Sequence, residues 1–153
     1  MRLVILRHAE AYAGADDDPL RQLTPHGQAQ SHVMRGQLES LLGDYRVLSS
    51  PWERARTTAG ALTLPADLDT SEQLVPTGRM AVVAAALEPF FASERPLVVV
   101  THQPLCGRLI HWLSDGSQQS LPIAPCSGAL LELDWPAAGM GRLIRWLDAD
   151  PSS

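Results

Sequence analysis

Arg7-His8, Arg54 and Thr101-His102 are the residues whose types and spacing could do chemistry together. Each set follows a short apolar or mixed run: residues 3–6 precede Arg7-His8, residues 46–49 precede the segment carrying Arg54, and residues 97–100 precede Thr101-His102. In open parallel sheets, ligand sites gather beyond the carboxyl ends of the strands, where helix N-termini also point. Two histidines and two arginines are therefore expected at one end of a sheet. Phosphate is the ligand this set suits. Guanidinium groups present a planar fork of donors to phosphate oxygens, and helix N-termini add unpaired N–H groups. A histidine amid arginines has its charged form disfavoured, which keeps it neutral and nucleophilic near pH 7. Any one of these residues alone would read as an ordinary surface or capping group; the recurrence after three predicted strands points to a shared pocket.

The elements that must position them show in the same pattern. Leu3-Val4-Ile5-Leu6 and Leu97-Val98-Val99-Val100 are apolar without alternation, as in central strands covered on both faces. Arg46-Val47-Leu48-Ser49 predicts a third, short strand. Thr24-Pro25 predicts an N-cap followed by proline at the first helical position, with Ala29, Val33, Met34, Leu38, Leu41 and Leu42 on the apolar face and Gly43 ending it. Ser50-Pro51-Trp52-Glu53 matches a capping box. Trp52, Ala55, Ala59 and Leu62 are expected to line the buried side of that helix, leaving Arg54 and Arg56 off the core stripe. A third helix is expected over residues 80–91, with Pro89 bending or ending it. A fourth should begin at Pro104, pack through Leu105, Leu109, Trp112 and Leu113, and stop near Asp115-Gly116. Residues 129–133 and 143–147 predict an antiparallel edge pair across a Pro/Gly-rich connection, and residues 150–153 a frayed tail. The predicted fold class is α/β: a three-layer sandwich with a mainly parallel central sheet flanked by helices. One domain is expected to span residues 1–153.

Composition narrows the partners. A hydrophobic fraction of 45% with 19% charged residues describes a soluble globular chain rather than a disordered one. A net charge of −5 gives no bulk attraction to nucleic acid or an anionic membrane, while leaving room for a locally positive pocket. Cys106 and Cys126 are too few for a disulfide framework and lack the paired spacing of a zinc site; they read as small buried side chains in a reducing compartment. The apolar N-terminal run is far shorter than a signal-peptide core or a membrane span, so a cytoplasmic location is expected. His26 and His32, six residues apart, do not make a metal pair on one helical face, and His111 reads as a surface or packing residue. No metal or cofactor is expected. Trp112, Trp135 and Trp146 read as core or edge packing.

Several segments together resemble one superfamily. Arg7-His8-Ala9-Glu10-Ala11 is similar to the Arg-His-Gly signature of the histidine phosphatase (phosphoglycerate mutase-like) superfamily. Leu23-Thr24-Pro25-His26-Gly27 resembles its Leu-Thr-x-x-Gly segment, and residues 50–58 its Ser-Pro-x-x-Arg-Ala-x-x-Thr segment. Thr101-His102-Gln103-Pro104 is similar to the segment that supplies its second catalytic histidine. The short chain, the Arg-x-Leu-Thr form at Arg21 to Thr24, and Leu74-Val75-Pro76-Thr77-Gly78 look most like the SixA-type phosphohistidine phosphatases. The resemblance implies a phosphoglycerate mutase-like fold and a hydrolase that works through a phosphohistidine. It implies that His8 attacks phosphorus and carries the phosphoryl group, with Arg7, Arg54 and His102 holding the equatorial oxygens. Arg21 is an additional candidate phosphate contact.

Two departures matter. Ala9 stands where the superfamily has glycine, which is tolerated unless the backbone there needs positive φ. The long insertion that carries a proton-donating glutamate in mutases and many phosphomonoesterases has no counterpart. Glu72, Glu10 and Asp18, the last in the Asp16-Asp17-Asp18 run, are the candidate acids, and the run itself reads first as a solvated loop. A phosphoramidate substrate fits the missing insertion, because imidazole leaves more readily than an alkoxide. The expected partner is thus a protein phosphorylated on histidine. A small phosphorylated metabolite, or a phosphate-binding module without catalysis, are the alternatives. Gln103 follows the second histidine where secreted acid phosphatases carry Asp, and nothing in the sequence demands more than a monomer.

Overall fold

The computed structural model describes residues 1–150. Six strands form one sheet: β1 (Arg2–Arg7), β2 (Arg46–Ser49), β3 (Leu68–Thr70), β4 (Leu97–Thr101), β5 (Ser127–Glu132) and β6 (Arg142–Asp148). Their order is β3-β2-β4-β1-β5-β6. The first four in that order run parallel, and β5 and β6 extend the sheet antiparallel beyond β1. Four helices cover it: α1 (Pro25–Leu42), α2 (Glu53–Leu62), α3 (Met80–Leu87) and α4 (Leu105–Asp115). None is long and apolar enough to cross a membrane.

The unbroken apolar runs have a simple cause. Along β1, Leu3 and Ile5 join a core with α3 and α4, while Val4 and Leu6 join a second core with α1 and α2. In β4, Leu97 and Val99 face the first core, and Val98 and Val100 the second. All eight of these side chains are essentially inaccessible. Burial on both faces removes the polar alternation of a one-sided strand. The result is the expected three-layer α/β sandwich with a mainly parallel centre.

Several local expectations need correction. The α1 cap is as predicted: Thr24 Oγ1 accepts from Gly27 N–H at 2.9 Å, and Gly43, at φ 71°, ends the helix. Its buried face is so only in part: Met34 and Leu38 are buried and Leu41 and Leu42 pack against the same core, but Ala29 and Val33 are exposed, and Gly27, Gln30 and Ser31 are buried in their place. The rotation is set by Gly27, where an added Cβ would lie 2.1 Å from the Glu10 carbonyl oxygen, and by Gln30, which accepts from Glu10 N–H at 2.9 Å. Ser50 is not the cap of α2. That helix begins three residues later, at Glu53, with Trp52 at the cap position and no side-chain cap. Arg54 is buried, at 2% exposure, rather than off the core. Only Arg56 stays at the surface, paired with Glu53 at 2.7 Å.

Pro89 ends α3 as expected, and the chain tightens into a 3-10 turn over Glu88–Ala92. β3 was not legible, since three residues at the sheet edge carry no apolar run. β5 is internal rather than part of an isolated edge pair, because it also pairs with β1. Trp135 and Trp146 are about half exposed, Trp135 edge-on against Phe91 at 6.2 Å and Trp146 on the edge strand β6, whereas Trp112 sits against the core. Residues 151–153 of the predicted tail lie outside the described residues, but Asp150 is tied down by Gln30 Nε2 at 2.5 Å and His26 Nε2 at 3.1 Å.

Candidate active site

His8 is the first residue past β1. Its N–H donates to Thr101 O at 3.0 Å, and its carbonyl accepts from Cys126 N–H at 2.9 Å. The His8 backbone is therefore fixed between the neighbouring strands β4 and β5 at the carboxyl end of the parallel half. Nδ1 lies 2.7 Å from Ala9 O, so it must carry the proton, and Nε2 keeps its lone pair. Arg54 Nε–H points at that nitrogen from 3.3 Å.

Arg54 enters from the first turn of α2. Two backbone carbonyls of the loop after β1 hold the rest of its fork: Asp18 O at 2.6 Å and Asp16 O at 2.8 Å. The Asp16-Asp17-Asp18 run thus contributes through its backbone, with Asp16 and Asp17 side chains exposed. Arg7 donates from Nη1 to Ile123 O at 2.8 Å, while its Nε is buried without a hydrogen-bond partner. Arg21 donates from Nε to Tyr12 O at 2.9 Å and lies 3.8 Å from an Asp16 carboxylate oxygen. Its charge is felt at His8, His102, Arg7 and Arg54, so it belongs to the same cluster.

His102 follows β4 and is 1% exposed. Its ring centroid is 5.1 Å from that of His8, tilted by 57°. Nε2 lies 2.8 Å from Ser50 Oγ, and Nδ1 is buried without a partner. Trp52 packs edge-on against His102 at 5.0 Å and lies under the Arg54 guanidinium at 5.1 Å. Thr58 Oγ1 accepts from Ala9 N–H at 3.0 Å and donates to Arg54 O at 2.8 Å, locking α2 to the end of β1. Among non-glycine described residues only Cys126, at φ 53°, has positive φ, so Ala9 needs no glycine conformation.

Electrostatics follow from burial and charge. Burial drives the His8 pKa down to about 3; its bond to the Ala9 carbonyl opposes this, and Arg7, Arg54 and Arg21 reinforce it. His102 is pushed down to about 2 by burial first, then by His8 and the same arginines. Both rings are neutral at pH 7, inside a cluster of three guanidinium groups. Burial also lowers Arg7 and Arg54, which remain cationic. A neutral imidazole with an unprotonated Nε2 in a cationic recess can attack an electrophile carried by an anion once Arg54 turns its Nε–H to that anion. Buried Arg7 Nε and His102 Nδ1 are the kind of unsatisfied groups that a tetrahedral oxyanion would satisfy.

The candidate acids are spread out. Glu10 accepts from Thr24 Oγ1 at 3.0 Å and lies 4.0 Å from His26 Nε2. Asp18 Oδ1 accepts from Leu20 N–H at 2.9 Å. Glu72 is exposed in the 3-10 turn after β3. Among the described residues, no carboxylate hydrogen-bonds to His8 or His102. His26 is engaged with Asp150, His111 with Ser117 at 3.3 Å and Asp115 at 3.7 Å, and His32 is exposed on α1.

Sequence reasoning missed Ser50, Trp52, Thr58 and the two carbonyls that hold Arg54. Ser50 and Trp52 were visible only as capping and packing residues, and loop carbonyls leave no mark in side-chain identity.

No family model matches the chain. It is 32% identical over 122 residues to the phosphohistidine phosphatase SixA of Escherichia coli, a match covering 76% of each chain. The chain belongs to the SixA family. A SixA homolog of Haemophilus influenzae is 28% identical to this SixA-family chain over 147 residues, 88% of this chain and 89% of that one. Among solved structures, the protein histidine phosphatase SixA complexed with tungstate superimposes with a TM-score of 0.83 at 28% identity, covering all of both chains. The SixA-type resemblance read from the motifs is therefore confirmed at the level of family and fold.

Proposed function

We propose that this protein removes the phosphoryl group from phosphohistidine in a protein, through a covalent phospho-His8 intermediate. The carrying observation is His8 itself: a neutral imidazole whose Nε2 is unprotonated because Nδ1 is committed to the Ala9 carbonyl, and whose lone pair is met by Arg54 Nε–H at 3.3 Å, a donor that an incoming phosphoryl oxygen can take over. Nε2 attacks phosphorus in line. The P–N bond to the substrate imidazole breaks, its electron pair stays on that nitrogen, and the nitrogen takes a proton from water. Water then attacks the phosphorus of phospho-His8, releasing phosphate and returning the lone pair to Nε2. Arg7, Arg54 and His102 stabilise the equatorial oxygens, with Arg21 adding positive charge at the rim.

A phosphoramidate needs less help than an alkyl ester, whose departing alkoxide needs a positioned acid, and the carboxylates of Glu10 and Asp18 are engaged with Thr24 Oγ1 and Leu20 N–H. SixA relatives carry phosphohistidine in their names, which supports the same class.

The test is hydrolysis of a phosphohistidine protein and of an alkyl phosphate monoester by wild type and His8→Ala. The expected result is wild-type turnover of the first, weak turnover of the second, and loss of both in the variant. Strong turnover of the ester would move the reading to a metabolite phosphatase. Equal, negligible turnover by both proteins would indicate a phosphate-binding module.

A further inference from the structure

Ser50 occupies a position that neither capping nor packing explains. It follows β2 directly, its side chain is fully buried, and its backbone N–H donates to Val100 O at 3.0 Å. Its Oγ receives Trp52 N–H at 3.2 Å and lies 2.8 Å from His102 Nε2. The other ring nitrogen of His102, Nδ1, is buried with no partner.

Neutral His102 carries one ring proton, and two arrangements are available. If Nε2 carries it, the ring donates to Ser50. The Ser50 hydroxyl hydrogen then has no recorded acceptor, and the Nδ1 lone pair has no donor. If Nδ1 carries it, the Ser50 hydroxyl donates to the Nε2 lone pair while its oxygen accepts from Trp52. Only the Nδ1–H is then left over. Buried polar groups without partners are unfavourable, so the second arrangement is preferred by one unsatisfied group. It also supplies what an oxyanion needs, a donor. A lone pair at Nδ1 would repel the same ligand.

We infer that Ser50 is a positioning residue that fixes His102 as its Nδ1–H tautomer, so that this N–H is the donor offered to a tetrahedral oxyanion beside His8. Trp52 assists in two ways. Its backbone N–H occupies an acceptor site of the Ser50 oxygen, and its indole edge packs against the imidazole at 5.0 Å and restrains the ring. His8 and His102 then share one tautomer for opposite purposes. In His8 the Nδ1 proton is spent on the Ala9 carbonyl so that Nε2 can attack. In His102 the Nε2 lone pair is spent on Ser50 so that the Nδ1 proton can bind.

The inference rests on the oxyanion site of the proposed function, and the experiment separates the two. Ring nitrogens are observed by 15N NMR in wild type, His102→Asn and Ser50→Ala, with tungstate titrated as the probe. The expected wild-type result is an unprotonated Nε2 and a protonated Nδ1 at His102, with the Nδ1–H resonance shifting as tungstate binds. Ser50→Ala should shift His102 to mostly Nε2–H and bind tungstate more weakly by the inverse of the remaining Nδ1–H fraction, about tenfold if a tenth of the rings keep that tautomer. Ser50→Thr, which retains a hydroxyl, should restore the wild-type tautomer. A wild-type His102 protonated at Nε2 would overturn the inference, and that measurement needs no variant to fold. Wild-type tautomer and affinity retained in Ser50→Ala would overturn it too. Failure of wild type to bind tungstate at all would instead count against the oxyanion site itself.

Discussion

The two halves of the sheet do different work. Where β2, β4 and β1 end, the chain delivers Ser50, His102 and His8 in turn, and polar side chains are buried: His8, Ser49, Ser50, Arg54, Thr58, Thr101 and His102. Along β5 and β6 the buried residues of the inner strand are small or apolar, and the outer strand leaves Leu143 and Trp146 exposed. Parallel strands with crossover helices place every strand end and helix start on one side, so groups distant in sequence meet there. An antiparallel pair alternates its ends and gathers nothing. The added strands serve chemistry indirectly: Cys126, just before β5, donates to the His8 carbonyl. The difference predicts that substitutions at the parallel end remove activity with modest loss of stability, and that those in the antiparallel half do the reverse.

The largest expected effect is at the nucleophile. His8→Ala should lower turnover by on the order of 10^4-fold or more, measured as kcat on a phosphohistidine protein. Arg54→Ala should lower it by roughly 10^2- to 10^3-fold, as for loss of a transition-state donor. Arg54→Lys should recover little, because a single ammonium cannot reach His8 and both loop carbonyls together. If Arg54→Lys were fully active, the fork would not matter and the site's geometry would need another explanation.

Gly128→Ala tests the other half. A Cβ at Gly128 would sit 1.8 Å from the Ile5 carbonyl oxygen, so β5 must move away from β1. A loss of about 3 kcal/mol in chemical unfolding is expected, with kcat changed far less than by Arg54→Ala. A variant of normal stability and lost activity would break the division of labour.

The buried histidines couple the site to stability through pH. Their ordinary value is 6.5, and the folded protein holds them at about 3 and about 2. The unfolded chain therefore takes up protons first. Their contribution is intact above about pH 6.5 and is lost as pH falls through that value towards the folded pKa values. At pH 5 the loss should be on the order of 2 kcal/mol per histidine. Thermal unfolding at pH 7 and pH 5 should show this, and His102→Asn should lose about half of the pH dependence. Tungstate should stabilise the protein more at pH 5 than at pH 7, because a bound anion favours protonated imidazole. The smallest effect is expected at the edge: Trp146→Ser should change stability by less than about 0.5 kcal/mol and leave kcat within twofold.

What was legible in the sequence follows the same line. The buried strands β1, β2 and β4 announced themselves by apolar runs, and the residues after them are those the structure brings together. Fine placement was not legible where it depends on partners distant in the chain. The face of α1 is turned by Gly27 and Gln30 against Glu10, which no helical periodicity encodes. Ser50 looks like a cap until His102, fifty-two positions on, is found against it. Arg54 reads as a surface residue because its acceptors are backbone carbonyls. β3 is too short to carry a pattern and exists because β2 offers it an edge.

The most direct measurement is to quench wild-type turnover of a phosphohistidine protein in alkali, where phosphohistidine survives, and locate the phosphoryl group by mass spectrometry. A phosphate is expected on the enzyme at His8, attached through Nε2, and none on His8→Ala. A protein that turns over substrate at full rate with no phosphorylated His8, or with the phosphoryl group on another residue, would contradict it.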